Sequence, residues 1–328
     1  MHASTRGRAR RVARVAWPVA IVLLVAWIGV TRGPEVLAAI ASCPPRVLLG
    51  AALAHVFTLA LRTEAWRTVL RGTGAGELGH RLLHSANAGA FLAGTVQGSA
   101  ALATRIVLIR RLGGERAPSV SQITLADAPI LMLEVCTSAL LAAVASTTVT
   151  AVPAWVPWAV LASAVAGLGA MRHAYGRLRH RRWATGLAVL ASPRLRARLV
   201  IVVLAFTGMA LLRTWIVLAG FGLPSDPADV CLVLFSMGVV GLLPIGVGTG
   251  PTATVAALGA TDLAAATAAG MVVSAATVLA VLIYALACWS IGARVSESDR
   301  AGDDGGAEVI PFPSPSTAET GRGLDLAA

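Results

Sequence analysis

The feature that most constrains this chain is a series of apolar runs, each close to the length of a bilayer crossing. A spanning helix needs roughly 20 apolar residues, because the hydrocarbon core of a membrane is about 30 Å thick. Hydrophobic residues make up 56% of the 328-residue chain and charged residues 13%, which is more apolar surface than a soluble domain can bury. The sequence therefore predicts an all-α polytopic membrane protein with about six full spans: Val15–Val30, Val47–Leu61, Gln122–Val149, Ala154–Ala170, Leu199–Ala219 and Ala264–Ile291.

Two further apolar segments, Leu82–Leu102 and Cys231–Ala260, are rich in small or helix-breaking residues. The second contains "GLLPIGVGTGP" at Gly241–Pro251. Proline removes a backbone donor and glycine permits a sharp reversal, so we expect two re-entrant or broken helical segments. A kinked pair of ordinary helices is the alternative. The turns should be enclosed by protein or line a wet cavity, and their predicted residues are Gly94, Gly98, Pro244, Gly246, Gly248 and Pro251.

The arginines predict the orientation of the chain, because basic residues stay on the cytoplasmic side of a membrane. Five arginines lie in the N-terminal tail 1–14, and eight lie in the loop 171–198. Both groups are cytoplasmic only if Leu82–Leu102 enters and leaves on that side. The first run is predicted to be an uncleaved span, since a candidate cleavage site at 39–41 lies too far beyond it. We therefore expect a protein of the inner (cytoplasmic) membrane with both termini in the cytoplasm.

The predicted membrane domain, residues 15–292, divides into halves 15–149 and 154–292. Each half holds three full spans and one broken segment, and an odd number of crossings makes the second half inverted relative to the first. A short internal match supports this: "LALRTEAWRTVLRGTG" precedes the first broken segment, and "MALLRTWIVLAGFGL" precedes the second. The remaining tail, 293–328, is rich in Gly, Pro, Ser and acidic residues and is predicted to be disordered and cytoplasmic.

Charged residues in or beside the predicted spans form the candidate site, because such residues are costly in a bilayer and usually face a cavity or a partner. Glu134 and Arg213 are predicted at similar depth and are expected to pair. Asp127 is expected to pair with Arg105 or Arg62. These residues are either buried ion pairs that hold helices together or a polar path. In the second interpretation Arg62, Arg105 and Arg213 receive a lipid phosphate, for which the guanidinium fork is well suited.

Several of these motifs resemble a known family. The chain is similar to the flippase-like integral membrane family typified by the transmembrane region of lysylphosphatidylglycerol synthases. The similar features are Arg62 with Trp66, Gly98 with Arg105 and the "IRR" that follows, and "PIGVGTGP" with its trailing Ala/Gly-rich helix. The resemblance covers most of residues 10–295 and implies a membrane domain that handles lipids.

The chain departs from the family pattern at two acidic positions. Leu102 stands where the family has Glu in the first half, and Pro251 stands where it has Glu in the second. Gln97 replaces the Pro of the first turn. These departures favour a divergent substrate or a degenerate paralogue as alternatives to the family-typical mechanism.

Other chemistries find little support in the sequence. "GVGTG" lacks the GK[ST] ending of a nucleotide loop. His80 and His84 share a helix face, but no third ligand lies nearby in the sequence, so no metal site is expected. The net charge of +11 lies at predicted membrane edges, where arginines fix topology and contact anionic lipid head groups rather than nucleic acid.

The predicted function is binding or translocation of an anionic or polyprenyl-linked lipid, with membrane lipids as the partners and no cofactor. The first alternative is a membrane scaffold or regulator without transport. The second is a lipid-modifying transferase, which the lack of a catalytic constellation disfavours. The protein is accordingly not expected to be an enzyme.

Overall fold

A computed structural model of the chain describes residues 34, 37–73, 78–96, 98–114, 117–147, 153–241, 249–258 and 263–303. Over these ranges the chain is helical and forms no strand. A 3₁₀ segment spans Arg182–Leu190. The helices, numbered in chain order, are α1 Pro45–Gly72, α2 His80–Val96, α3 Gly98–Gly113, α4 Val120–Ala145, α5 Trp155–Leu178, α6 Pro193–Gly220, α7 Pro227–Gly241, α8 Thr249–Leu258 and α9 Leu263–Asp303.

Within the described ranges, five helices are long and apolar enough to cross a membrane: α1, α4, α5, α6 and the Leu263–Ser290 part of α9. Five of the six predicted spans are thereby confirmed as helices of spanning length, and Val15–Val30 lies outside the described residues. Large apolar side chains point outward along these helices; Ile201 is 66% exposed and Leu286 is 64% exposed. Such a surface is suited to lipid rather than water, which supports a multi-pass membrane protein.

The first broken segment is a pair of short helices, α2 and α3, packed against each other. Its predicted turn was too wide, since Gly94 lies inside α2 and Gly98 is the first residue of α3. Only residue 97 separates the two helices. Gly94 serves packing instead, because a Cβ atom there would lie 3.1 Å from the Cβ of Ala101. Helix α3 continues to Gly113, so Arg105 is buried within it and does not lie in a loop.

The 3₁₀ segment gathers several helix ends at one end of the bundle. The end of α1 contacts it, because a Cβ atom on Gly72 would lie 3.1 Å from the backbone nitrogen of Val189. The start of α4 contacts it through Gln122, which donates to Thr185 Oγ1 at 2.7 Å. The α2–α3 pair therefore leaves and rejoins the bundle at the same end. Helix α5 ends and α6 begins beside the same segment.

The second broken segment lies partly outside the described residues, which omit Pro244, Gly246 and Gly248. Helices α7 and α8 flank it and contact each other. Pro251 was predicted to lie in the non-helical reversal between the two helices. It lies instead within α8, in the first helical turn after Thr249. Proline is tolerated there because first-turn amides have no intrahelical acceptor.

Helix α1 lies at the centre of the packing. It runs antiparallel to α6, with Gly50 against Ile216 and Val47 against Gly220. Trp66 of α1 is fully buried in a cluster with Leu83, Ile123 and Phe206. Helix α1 contacts α2, α4 and α6, and its threonines at positions 58, 63 and 68 are buried among them.

The chain divides into two units, Met1–Trp289 and Ser290–Ala328. Helix α9 runs to Asp303, so the helix extends beyond residue 293, where the tail was predicted to begin. The reason is local composition, since residues 293–301 contain neither Pro nor Gly and favour a helix. Residues 304–328 lie outside the described part.

Candidate functional site

A cavity of about 460 Å³ lies between α1, α4, α6 and α7. Most of its wall is apolar, with contributions from Phe206 on α6 and Phe235 on α7. The polar groups converge from three helices and are His55, Thr58, Arg62, Glu134, Ser138, Thr207 and Arg213. A mainly apolar cavity with a few convergent polar groups is the usual form of a small-molecule binding site.

Arg62 and Glu134 form an ion pair across the cavity wall between α1 and α4. Arg62 Nη1 donates to Glu134 Oε1 at 3.3 Å, and Nη2 lies 3.1 Å from Oε2. Both side chains are about one-third exposed, at 29% and 33%. The pair therefore borders the cavity, and the charges of the guanidinium and the carboxylate compensate each other.

Arg105 and Asp127 form a second pair, which confirms the expected partnership of Asp127 with Arg105. Arg105 Nη1 lies 3.6 Å from Asp127 Oδ1, and the same oxygen accepts from Trp66 Nε1 at 3.1 Å. The guanidinium carbon of Arg105 stacks 4.3 Å from the centre of the Trp66 ring, a cation–π contact. Arg105 is only 4% exposed, so this group holds α1, α3 and α4 together.

Arg213 has no carboxylate partner within 4 Å in the described part of the chain. The predicted pair of Glu134 with Arg213 is therefore wrong, because Glu134 is bound to Arg62. Arg213 Nη1 donates to His55 Nδ1 at 2.9 Å and to Thr277 Oγ1 at 3.2 Å. Both residues nevertheless line one cavity.

The charge of Arg213 is thus not neutralised by its protein partners. Arginine cannot accept a hydrogen bond, so His55 Nδ1 must be the acceptor, and that partner is an uncharged nitrogen. Arg213 is 8% exposed, and its Nε has no hydrogen-bond partner among the described residues. Thr207 Oγ1, also on the cavity wall, is buried, and no hydrogen-bond partner reaches it from the described ranges. The site therefore holds one uncompensated positive charge and unused hydrogen-bonding capacity.

An apolar groove adjoins this cavity on the side of α5. It has a volume of about 340 Å³ and is lined largely by small and aliphatic side chains of α4 and α5. Leu131, Val135 and Val160 line both spaces. Ala159 and Ser163 at the groove are exposed, so the groove opens at the outer surface of the bundle. The combined space is suited to a molecule with an anionic group and an apolar chain.

The sequence-predicted site residues thus fall into two places. Arg62, Glu134 and Arg213 line the cavity, whereas Arg105 and Asp127 pack beside Trp66. His55 and Thr277 were missed as partners of Arg213. A polar residue inside an apolar run was the available signal for His55, but the helix register alone could not bring it to Arg213.

A second polar cluster joins α1 to the start of α2. Glu64 of α1 approaches His80 and His84 of α2, with Glu64 Oε1 lying 2.6 Å from His80 Nε2. The expectation that these histidines lack a third ligand group is therefore wrong. The missing group is Glu64, which lies on another helix 16 positions before His80. Motifs based on short spacing within one helix do not detect such a ligand.

No family model, curated protein or solved structure matches this chain. The resemblance to the flippase-like family therefore rests on the motifs described above.

Proposed function

We propose that this protein binds, and translocates across the membrane, a lipid with an anionic head group, such as an anionic or polyprenyl-linked phospholipid. The observation that carries the proposal is the uncompensated Arg213 at the wall of a cavity that continues into an apolar groove. The proposal also agrees with the family that the motifs resemble.

The head group is assigned to the polar end of the cavity. Arg213 supplies the net positive charge there, and a charge-assisted hydrogen bond to a phosphate is about twice as strong as a neutral one. Thr58, Ser138 and Thr207 add hydroxyl groups on the same wall. Arg62 can contribute only in part to head-group binding, since both terminal nitrogens of its guanidinium already lie against the Glu134 carboxylate.

The apolar chain is assigned to the groove between α4 and α5. Because Leu131, Val135 and Val160 line both spaces, one molecule can occupy them together. Helix α5 is poorly covered by the rest of the protein, since only 11% of its 18-residue apolar stretch is buried. The groove therefore faces the surface that we assign to lipid. The occupant therefore enters from within the bilayer.

The order of helices supports translocation over simple storage. A long helix, a pair of short helices and another long helix occur in that order twice, as α1–α4 and as α6–α9. Helices α1 and α6, the first of each set, run antiparallel. Two inverted halves around a central site are typical of transporters, and we propose that arrangement here, with both termini in the cytoplasm.

A non-transporting scaffold is the competing proposal, and the absence of family-typical acids at Leu102 and Pro251 favours it. It predicts that the cavity is filled by packing and holds no specific lipid. The unpartnered Thr207 and the uncompensated Arg213 argue for an occupant instead. We propose no enzymatic activity.

The decisive experiment compares lipid retention by the wild-type protein and by Arg213→Gln. The purified chain would be mixed with phosphatidylglycerol and phosphatidylcholine of the same acyl composition, and bound lipid would be counted by native mass spectrometry. We expect preferential retention of phosphatidylglycerol and a loss of roughly tenfold or more in the variant, the size typical of a lost hydrogen bond to a charged group. A parallel sample with a polyprenyl phosphate separates the two lipid sources.

Arg194→Gln is the matched control, because Arg194 is exposed and its removal changes the net charge equally. Equal retention of both phospholipids, or equal loss in the two variants, would overturn the proposal of a specific head-group site. Fluorescent phosphatidylglycerol in proteoliposomes then tests translocation separately. Retention without movement between leaflets would support the scaffold.

A further inference from the structure

The cluster of Glu64, His80 and His84 lies at the junction of α1 and α2, away from the lipid cavity. Its three nearest ligand atoms are Glu64 Oε1, His80 Nε2 and His84 Nε2. The oxygen lies 2.6 Å from His80 Nε2 and 3.4 Å from His84 Nε2, and the two nitrogens are 3.1 Å apart. Around a tetrahedral zinc ion with bonds of about 2.0–2.1 Å, ligand atoms are roughly 3.4 Å apart.

A chain of hydrogen bonds connects His84 to α1 and α9. Thr63 Oγ1 donates to the carbonyl of Leu59 at 3.0 Å and lies 2.9 Å from Tyr284 Oη. Tyr284 Oη in turn lies 2.6 Å from His84 Nδ1. When Tyr284 accepts from Nδ1, neutral His84 directs the bare lone pair of Nε2 at the cluster, which is the tautomer that a metal ligand needs.

In that tautomer the cluster lacks protons for its own contacts. His80 Nε2 can donate one proton, and Glu64 Oε1 is its nearest acceptor. His84 Nε2 is left facing His80 and the carboxylate oxygen with no proton of its own. Two lone pairs that face each other repel, and a shared cation removes that repulsion. The two candidates are a second proton on His84 and a metal ion.

The surroundings orient the carboxylate for a metal. Arg67 Nη1 and Arg198 Nη2 approach the other oxygen of Glu64, Oε2, at 3.4 and 3.8 Å. That oxygen is held by the cations, so Oε1 stays directed at the two histidines. Outer partners that hold ligand side chains, here Tyr284 beside His84 and the arginines beside Glu64, are characteristic of metal sites. The His80 side chain is 52% exposed, so an ion can enter and a water can complete its coordination.

We infer that Glu64, His80 and His84 form a binding site for a divalent transition-metal ion, with zinc as the best match. Two imidazole nitrogens and one carboxylate oxygen, with a fourth position open, are a ligand set that zinc accepts. The ion would join the end of α1 to the start of α2. The inference does not depend on the proposed lipid function, because neighbouring positions such as Arg62 and Glu64 lie on different faces of α1 and the cavity does not include the cluster.

The test is a titration of the purified, tag-free, metal-stripped protein with Co²⁺, followed by displacement with Zn²⁺. Tetrahedral Co²⁺ has a visible absorption band that reports its ligands directly. We expect one Co²⁺ per chain, displaced by one Zn²⁺. The double variant His80→Ala/His84→Ala should lose uptake, and Tyr284→Phe should weaken affinity by about 10- to 100-fold, as outer-shell changes typically do.

The double variant His173→Ala/His180→Ala is the matched control, because both residues are exposed and the number of histidines removed is the same. It should bind like the wild-type protein. Glu64→Gln, which keeps the shape of the side chain, guards against misfolding of the alanine variants and should also lose uptake. Absence of uptake by the wild-type protein would overturn the site and favour a protonated His84, and equal loss in the control would also overturn it.

Discussion

At the residue scale, Arg213 is a cation whose protein partners are a neutral imidazole and a hydroxyl group. A buried charge without an opposite charge lowers stability unless something else compensates it. Arg62 differs, because its partner Glu134 is an anion at 3.1 Å. The two arginines line the same cavity, so substitutions at the two positions can distinguish the proposed binding role of Arg213 from the structural role of Arg62.

We predict that Arg213→Met unfolds at a temperature equal to or above that of the wild-type protein. The substitution removes an uncompensated charge, and the flexible Met side chain can fill much of the vacated space. Thermal unfolding in detergent, followed by tryptophan fluorescence, measures the change. A large drop in Tm would mean that Arg213 holds the bundle together, as a structural residue would.

We predict the opposite for Arg62→Met, which leaves Glu134 without its partner. Breaking a buried ion pair typically lowers the free energy of unfolding by about 3–5 kcal/mol. Because this pair is partly exposed, we expect a loss near or below the lower end of that range. The double variant Arg62→Met/Glu134→Met should recover most of the lost Tm, since two apolar residues then face each other. If the double variant were as unstable as the single one, the pairing would be wrong.

At the element scale, the 3₁₀ segment closes one end of the bundle by contacting four of the spanning helices. Its central glycine permits this contact. A Cβ atom on Gly186 would lie 2.8 Å from the carbonyl oxygen of Gln122 and 2.8 Å from Leu125 Cβ. Neither atom belongs to the flexible end of a side chain, so α4 would have to move.

We predict that Gly186→Ala destabilises the protein by about 1–3 kcal/mol, the usual cost of forcing atoms into a packed site. Gly169→Ala on α5 is the control, because a Cβ atom there meets nothing within 4 Å. That change should be neutral or stabilising, since alanine is the better helix former by about 1 kcal/mol. Protease resistance and Tm of the two variants should therefore move in opposite directions or differ clearly. Equal behaviour would show that the 3₁₀ segment is loosely attached.

The sequence predicted the long helices well, because their hydropathy signal is local. Leu199–Ala219 was expected and α6 spans Pro193–Gly220. The expected ion pair of Glu134 with Arg213 failed because helical rise predicts depth but not rotation. Both residues face the same cavity, yet Arg62 from a third helix lies closer to Glu134. The Glu64 cluster and the 3₁₀ segment were missed for a similar reason, as both depend on contacts between distant parts of the chain.

At the scale of the whole molecule, α6 separates the two ends of the bundle. Position 180 comes just before the 3₁₀ segment, which leads into the start of α6. Position 226 follows the other end of α6. If the arginine-rich end is cytoplasmic, the loop that carries Asp226 is outside. Both His180 and Asp226 are exposed, so each can be replaced by a reporter cysteine once the four native cysteines have been removed.

We predict that Asp226→Cys reacts with a membrane-impermeant maleimide in intact cells, whereas His180→Cys reacts only after permeabilisation. This result follows if α6 crosses the membrane once and residues 171–198 are inside. The reverse pattern would invert the orientation. Reaction of both positions in intact cells would contradict a single crossing by α6, because the two ends of that helix would then lie on the same side.

Under the proposed lipid function, the sideways opening of the groove between α4 and α5 would determine which concentration controls occupancy. An occupant that arrives laterally is already dissolved in the bilayer, so its mole fraction among lipids sets the degree of saturation. Its dissolved amount in water is irrelevant. Dilution of the sample with buffer should then leave saturation unchanged, whereas dilution with neutral lipid should reduce it. The protein would consequently respond to the composition of its membrane.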